Sequence, residues 1–160
     1  MESNPEDIRA QLAAAGAVGV LAVEPFDGAA ARVKFAPESA GALFPVFRDA
    51  LGFTHLSTVG GIDWVTRYEV FYLLWSDATK RYVILSADLD AKTPHIETAS
   101  STWPSANWHE REAWELVGIG FDHHPDLRHL LMPDGYDFHP LQRAFKLHEP
   151  EELEVKVRHV

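Results

Sequence analysis

Histidines, which could ligate a metal or act as acid–base groups, are concentrated in the last third of the chain. Seven of the nine histidines follow residue 100, and four of these are candidate metal ligands: His123, His124, His129 and His139. Zinc sites on helices favour two histidines four residues apart, whereas His124 and His129 are five apart. A histidine-rich, metal-dependent enzyme is therefore one hypothesis, and histidines at the surface or in hydrogen bonds are the simpler interpretation.

Two carboxylates flank an arginine in the same region, at Glu110, Arg111 and Glu112. Side chains two positions apart on a helix point about 200° away from each other, so Glu110 and Glu112 cannot act on one substrate. Glu110 falls four residues before Trp114, near the apolar side of the predicted helix, where a buried charge needs a partner. Arg111 is predicted to pair with Glu115, one turn later. A docking surface or a solvated helix face explains these charges better than catalysis.

Composition excludes several classes of function. The chain of 160 residues has no cysteine, which removes thiol nucleophiles, disulfides and ordinary iron–sulfur clusters. Its formal net charge of -10 makes nucleic acid and anionic membranes poor partners. The longest apolar run, residues 12–23, is shorter than the roughly 20 residues that span a bilayer, and acidic residues precede it. We therefore expect a cytoplasmic protein without a membrane span.

The first half of the chain must provide the scaffold for this region. A helix is predicted over residues 5–15 after an N-cap at Ser3 or Asn4, and a second helix over residues 37–51. Alternating and apolar runs predict five strands, at residues 18–24, 30–35, 54–64, 68–75 and 81–89.

Local signals refine this scaffold. Asp27-Gly28 suits a hairpin turn, and Gly60-Gly61 predicts a bulge. The strand at 68–75 is apolar on both faces, which is typical of an interior strand. The predicted fold class is α+β in two layers, with helices packed on one face of a mixed, mostly antiparallel sheet, followed by an extended, Pro-rich C-terminal segment.

The chain divides by character near residue 93. Residues 1–92 form the predicted α+β core, and residues 93–160 contribute one helix and an extended docking segment to the same domain. Asn107 and Glu110 have the spacing of a capping box at the start of this helix, and Gly118 marks its end. A long irregular segment is either functional or covered by another protein. In the isolated chain we expect an exposed apolar surface formed by Trp108, Trp114, Val117 and Ile119.

This helix carries the most specific pattern in the sequence. Residues 103–121 read W-P-S-A-N-W-H-E-R-E-A-W-E-L-V-G-I-G-F, followed by H-P-D-L-R at 124–128 and L-L-M-P at 130–133. The segment resembles the signature of the C-type subunit of respiratory complex I (NADH-quinone oxidoreductase), whose family is also called the 30 kDa subunit family. The chain differs from the usual pattern of that family at Glu115, Val117 and His123, and at Gln142-Arg143-Ala144 after His139-Pro140-Leu141.

The resemblance implies a subunit of the peripheral arm that has no catalytic residue, metal or cofactor of its own. Such a subunit docks on the large, hydrogenase-related subunit and on cluster-bearing subunits, which hold the iron–sulfur clusters and any flavin. It supports electron transfer from NADH, ferredoxin or a deazaflavin to quinone, coupled to ion pumping, on the inner face of the cell membrane. The resemblance assigns contacts between subunits to Glu110, Arg111, Glu112, Gly118, His124, Pro125, Arg128, Pro133 and Pro140.

Two alternatives stay open beside this interpretation. Related assemblies share the module, so the chain could be the equivalent subunit of a membrane-bound [NiFe]-hydrogenase-type complex. The second alternative is the metal-dependent enzyme built on the histidines of the C-terminal half.

Overall fold

A computed structural model describes residues 4–27 and 30–146. Gly28 of the predicted hairpin turn lies outside the described residues, as do residues 147–160. The helices are α1 (Pro5–Ala14), α2 (Ala40–Pro45) and α3 (Ala106–Val117). The strands are β1 (Val20–Phe26), β2 (Ala30–Phe35), β3 (His55–Asp63), β4 (Tyr68–Ser76), β5 (Arg81–Leu89), β6 (His95–Glu97) and β7 (Gly120–Asp122).

Five strands form one mixed sheet in the order β1-β2-β5-β4-β3. The β2–β5 pair is parallel and the other three pairs are antiparallel, so the predicted α+β class is confirmed. β4 lies between β5 and β3, as its two apolar faces predict. Its residues Val70, Tyr72 and Leu74 are buried in the core, whereas Phe71 and Leu73 point to the opposite face and are half-buried. A second, two-stranded sheet pairs β6 with β7 in parallel.

The first two helical regions follow from local signals. Asn4 caps α1 by accepting a hydrogen bond from the Glu6 N–H at 3.0 Å, and Ile8 and Leu12 are buried on one side of the helix. The predicted helix over 37–51 is present in three parts, because a 3₁₀ turn precedes α2 and a π-helical turn follows it. Phe44 of α2 and Phe47 of the π-helical turn are both fully buried, so the apolar side continues across the irregular turn.

Aromatic contacts link the two halves of the chain. The Phe44 ring lies 4.9 Å from Tyr72 of β4 and 5.7 Å from Trp103, between ring centroids. The buried indole N–H of Trp103 donates to the Phe53 carbonyl at 3.0 Å, which satisfies its one donor. The segment before α3 therefore shares a continuous core with the five-stranded sheet.

The two adjacent glycines of β3 do not form the predicted bulge. The register of β3 against β4 shifts between Leu56 and Thr58 instead. A Cβ atom at Gly61 would lie 2.6 Å from Cδ1 of Ile119, which is buried, and a Cβ atom at Gly60 would overlap the Phe71 ring. The glycines are needed because residues packed on each face of the strand approach its backbone closely.

Substitution of Gly61 by alanine should therefore destabilise the fold. We expect G61A to lower the free energy of unfolding by about 1–3 kcal/mol, because the buried Ile119 side chain must shift to accommodate the added methyl group. Urea unfolding followed by circular dichroism measures this change. The matched control is G41A in α2, where a Cβ atom meets its nearest neighbour at an ordinary 3.4 Å and alanine favours the helix. Equal midpoints for G61A and the wild type would contradict this packing.

Candidate functional site

The α3 helix begins two residues earlier than predicted and without a side-chain cap. It starts at Ala106 after Ser105, whose side chain caps no helical N–H, so the capping box at Asn107 and Glu110 is wrong. The reason is that the Glu110 carboxylate points into the protein rather than back along the helix. Gly118 ends the helix as predicted, with a φ of 92° that favours glycine.

Glu110 is fully buried and fixes the loop that precedes α3. Its carboxyl oxygens accept hydrogen bonds from the Thr98 hydroxyl at 2.5 Å and from the Ala99 N–H at 2.7 Å. Nε2 of His124 lies 3.8 Å from Glu110 Oε2, but the nearby Asn107 carbonyl, 3.2 Å from Nε2, is its hydrogen-bond partner. Nδ1 of His124 accepts from the Asp126 N–H at 3.0 Å, so the ring is neutral and donates through Nε2.

Burial controls the ionisation of this cluster. Burial raises the pKa of Glu110 to about 7, although hydrogen bonds from Thr98 and Ala99 oppose the rise. Burial also lowers the pKa of His124, which keeps its ring neutral. The pKa of Tyr72 is raised by burial and then by the Glu110 charge, and its hydroxyl has no hydrogen-bond partner in the described part of the chain. Protonation of Glu110 relieves the charge at the centre of this cluster.

Arg111 does not pair with Glu115 as predicted. Its guanidinium donates to two consecutive backbone carbonyls of the extended chain, Arg128 O at 3.0 Å and His129 O at 2.8 Å. It also lies 3.6 Å from an Asp126 carboxylate oxygen. Arg111 is buried, and its several N–H donors reach both carbonyls at once, whereas the Glu115 carboxylate accepts from other backbone groups.

Glu115 has a different set of partners in the same extended segment. Its buried carboxylate accepts from three consecutive backbone N–H groups, those of Leu130 at 3.2 Å, Leu131 at 2.9 Å and Met132 at 2.6 Å. His129 Nδ1 lies 3.1 Å from the same carboxylate. Burial opposes its ionisation, but these hydrogen bonds outweigh burial and lower the pKa of Glu115. Glu115 therefore stays charged where Glu110 is close to neutral.

The last turn of α3 is closed by side chains and backbone from farther along the chain. The final carbonyls of a helix lack partners within it. Glu115 O pairs with His139 Nδ1 at 2.8 Å, Leu116 O with the Leu141 N–H at 2.8 Å, and Val117 O with the Gln142 amide at 3.0 Å. Sequence reasoning did not assign these roles, since no local pattern links a helix end to residues more than twenty positions later.

These contacts define a unit that we call the α3 clasp. It consists of α3 and the extended segment 123–143, which the helix holds through Arg111, Glu115 and its last carbonyls. Among the residues predicted to contact other subunits, Glu110 and Arg111 face inward and Gly118 ends the helix. Glu112, Pro125, Arg128 and Pro133 are exposed, whereas His124 and Pro140 are half-buried. Their role in contacts between subunits stays a prediction.

Large apolar side chains remain on the surface of the α3 clasp. Trp108 is 63% exposed, and both Leu131 and Leu141 are 62% exposed. The predicted exposure of Val117 and Ile119 is wrong, because both pack in the core beneath β3. Exposed apolar side chains on a segment with fixed backbone contacts are typical of surfaces that bind another protein.

The histidines do not converge. His129 and His139 contact Glu115, His124 contacts the backbone of α3, and His123 lies 2.9 Å from a Glu97 oxygen. Within residues 4–27 and 30–146, no three His, Asp or Glu side chains are placed to hold a metal ion. The histidines contribute hydrogen bonds to the α3 clasp and to the small sheet.

The buried Glu110 should make stability depend on pH. The unfolded carboxyl releases its proton near its ordinary value of 4.5, whereas the folded one retains it to about pH 7, so folding favours the protonated form. The free energy of unfolding should therefore fall by on the order of 3 kcal/mol between pH 4.5 and 7. Above about pH 7, Glu110 should cause no further decrease. In E110Q this component should be absent, as measured by urea unfolding across the range. Identical pH profiles for E110Q and the wild type would contradict the assignment.

The Glu115 contacts predict which amides are protected in the extended segment. In E115Q the amide protons of Leu130, Leu131 and Met132 should exchange at least about tenfold faster, since the neutral amide accepts fewer and weaker hydrogen bonds. Hydrogen exchange followed by NMR resolves these amides. The control, E112Q, changes an exposed carboxylate on the same helix and should leave them unchanged. Equal exchange in both variants would show that Glu115 does not hold the segment.

Comparisons with known proteins identify the family. Residues 33–151 match the family model described as "Respiratory-chain NADH dehydrogenase, 30 Kd subunit". The C-type subunit of NADH-quinone oxidoreductase from Salinispora tropica is 37% identical over 117 residues, which cover 69% of this chain and 48% of that protein. A C-type subunit of the same enzyme from Rhizobium meliloti is 41% identical over 101 residues, 61% of this chain and 55% of that protein. The chain thus spans about half the length of these relatives.

Two solved structures share the fold. The first is described as Nqo5 of the trypsin-resistant fragment (1-134), with a TM-score of 0.65 and 27% identity over 76% of this chain and 98% of that one. The second comes from the membrane-bound sulfane sulfur reductase, described as an archaeal respiratory membrane complex. It has a TM-score of 0.78 over 97% of this chain and 94% of that one, and at 12% identity it shows a common fold alone. The chain belongs to the family of the 30 kDa subunit of respiratory-chain NADH dehydrogenase.

Proposed function

We propose that this chain is a structural subunit of the peripheral arm of a complex I-like assembly. It docks on the large, hydrogenase-related subunit and on cluster-bearing subunits through the exposed side of the α3 clasp. Electrons pass from NADH or another donor to quinone through groups held by those partners, coupled to ion pumping. The chain supports this transfer by fixing the relative positions of its neighbours.

The observation that carries the proposal is the combination of an immobilised backbone with exposed apolar side chains. Arg111 and Glu115 fix residues 128–132 by five backbone contacts, three at N–H groups and two at carbonyls. Leu131, in the middle of this stretch, nevertheless exposes 62% of its surface. Because the backbone of this surface is already fixed, the surface loses little conformational entropy when a partner binds.

The chemistry of the chain supports a role without a redox centre of its own. The sequence contains no cysteine to ligate a cluster. The buried polar groups of the α3 clasp are engaged with the chain's own backbone, so Glu110, Arg111 and Glu115 have no free side for a substrate.

Membrane association is proposed to be indirect. No helix among the described residues is both long enough and apolar enough to cross a bilayer. Attachment through partner subunits would place the chain at the inner, cytoplasmic face of the cell membrane.

Substitution of an exposed side chain of the α3 clasp should reduce assembly without unfolding the chain. We expect L131S to lower the amount of intact complex in native membranes several-fold, because Leu131 is exposed in the free chain and buried in the proposed assembly. Native gel electrophoresis and quinone-reductase activity measure assembly, and the urea midpoint of the isolated chain should stay within experimental error.

The matched control is L21S, which removes a leucine that is 70% exposed on β1, away from the α3 clasp. Its assembly should equal that of the wild type. Wild-type assembly in L131S would contradict docking through this surface. Mass spectrometry of the large subunit that co-purifies separates the two kinds of complex, because two cysteine pairs that hold nickel would favour the hydrogenase type over quinone reduction.

A further inference from the structure

The outer edge of β3 presents backbone groups that do not bond to β4. β3 is the last strand of the five-stranded sheet, and opposite residues of an antiparallel pair alternate between hydrogen-bonded and non-hydrogen-bonded. Just beyond β3, the Trp64 N–H donates to the Arg67 carbonyl at 2.9 Å, so this pair is a hydrogen-bonded one. Counting back from it along the register, Val59, Gly61 and Asp63 direct their N–H and C=O groups away from β4.

The contacts of Asp63 agree with this direction. Its carbonyl accepts a hydrogen bond at 2.9 Å from Nε of Arg143, which lies beyond the sheet. Farther along the same edge, the Val59 carbonyl has only a contact of 3.4 Å with the Thr58 hydroxyl. The outward groups of Gly61 have no hydrogen-bond partner among the described residues. The middle of this edge can therefore pair with another strand.

A narrow apolar groove of about 130 Å³ runs along the same edge. It is lined by Val59, Gly60 and Gly61 of β3 and by Ala113 and Leu116 of α3. Successive side chains of a strand point to opposite faces, so three consecutive residues can line one groove only where the strand edge borders it. Two glycines there leave the backbone open to the close approach of another backbone. The groove is smaller than the roughly 300 Å³ of ordinary small-molecule sites, and it suits small aliphatic side chains.

An unpaired carboxylate stands at the rim of this groove. Glu112 borders the groove and is exposed, and within residues 4–27 and 30–146 it has neither a hydrogen bond nor an ion pair. Glu110 and Glu115 on the same helix are both engaged with backbone N–H groups. Charge complementarity at an interface therefore favours a basic side chain opposite Glu112.

We propose that an extended segment of a neighbouring subunit adds to the outer edge of β3 as a sixth strand. Its backbone pairs with Val59 and Gly61, and its small aliphatic side chains pack on Ala113 and Leu116. A Lys or Arg side chain of the same segment pairs with Glu112. This inference rests on the proposed function and names the way in which a partner subunit binds, which is by strand addition.

Two features favour a strand of another subunit over other occupants. Leu141 is 62% exposed and belongs both to this groove and to the α3 clasp, so a partner that covers the α3 clasp also meets the edge of β3. A second copy of the chain would bring a further net charge of -10 and its own Glu112 to the same place. A helix in the groove would leave the outward N–H and C=O groups of β3 without partners.

Hydrogen exchange of the isolated chain and of the intact complex tests the proposal. The amides of Val59 and Gly61 should exchange at least about tenfold more slowly in the complex, because strand addition gives them hydrogen-bond acceptors. The amides of Gly60 and Ile62 bond to β4 and should be slow in both samples, which shows that the sheet is folded. Mass spectrometry with fragmentation of the labelled peptides resolves the single amides.

Charge reversal at Glu112 tests the basic residue of the partner strand. E112K should lower the amount of intact complex in native membranes several-fold, and the urea midpoint of the isolated chain should stay within experimental error. The matched control is E38K, which reverses an exposed carboxylate in the 3₁₀ turn after β2 and should assemble as the wild type does. Equal assembly of E112K and E38K would overturn the proposal.

The exchange measurement also separates this inference from the proposed function. Equal exchange of Val59 and Gly61 in the two samples would overturn strand addition, whereas docking through the α3 clasp is tested separately by L131S. Slow exchange of both amides in the isolated chain would assign the edge to another part of this chain, or to a second copy if it disappears on dilution. Either result would overturn the proposal. A chain that co-purifies with no partner subunit would overturn the proposed function and this inference together.

Discussion

The structure depends on one constraint: a segment without regular secondary structure must still find hydrogen-bond partners for its backbone N–H and C=O groups. In residues 128–132 this is done by α3, because Glu115 accepts three consecutive N–H groups and Arg111 donates to two carbonyls. The last carbonyls of α3 accept in return from the segment around Leu141. The helix thus provides for the extended segment what a neighbouring strand provides in a sheet. The exposed apolar surface has a defined shape because of these contacts.

The buried charges of α3 are accommodated in two different ways. Around Glu115, backbone N–H groups and His129 compensate the loss of water, and the carboxylate stays ionised with a lowered pKa. Around Glu110, two hydrogen bonds are too few to offset the loss of water, and burial raises the pKa of Glu110 to about 7. The E-R-E triplet therefore acts mainly inside the subunit. Glu110 holds the loop before the helix and Arg111 holds the segment after it, whereas Glu112 faces the surface. Its spacing to H-P-D-L follows from this, since Arg111 must reach the carbonyls of Arg128 and His129.

Much of the fold could be predicted from sequence, because its signals are local. Residues 30–35 and 81–89 are strands with the bounds predicted, and the apolar faces of β4 indicated its interior place. The predictions that failed paired a side chain with a partner nearby in sequence, although the fold brings it a better partner from farther along the chain. The Arg111–Glu115 pair is one turn apart on the helix, yet backbone groups brought in by the fold compete better for both side chains. The two glycines of β3 were predicted to form a bulge because the sequence does not show that Phe71 packs against Gly60 and Ile119 against Gly61.

The central claim is that α3 orders the extended segment before any partner binds. The most direct test is the backbone ¹⁵N heteronuclear NOE of residues 124–143 in the isolated chain. The structure predicts values equal to those of α3 and β4 throughout residues 128–132, where Arg111 and Glu115 make their contacts. Low values across that stretch, with normal values in α3, would contradict the account, because the helix would then not order the proposed docking surface in the isolated chain.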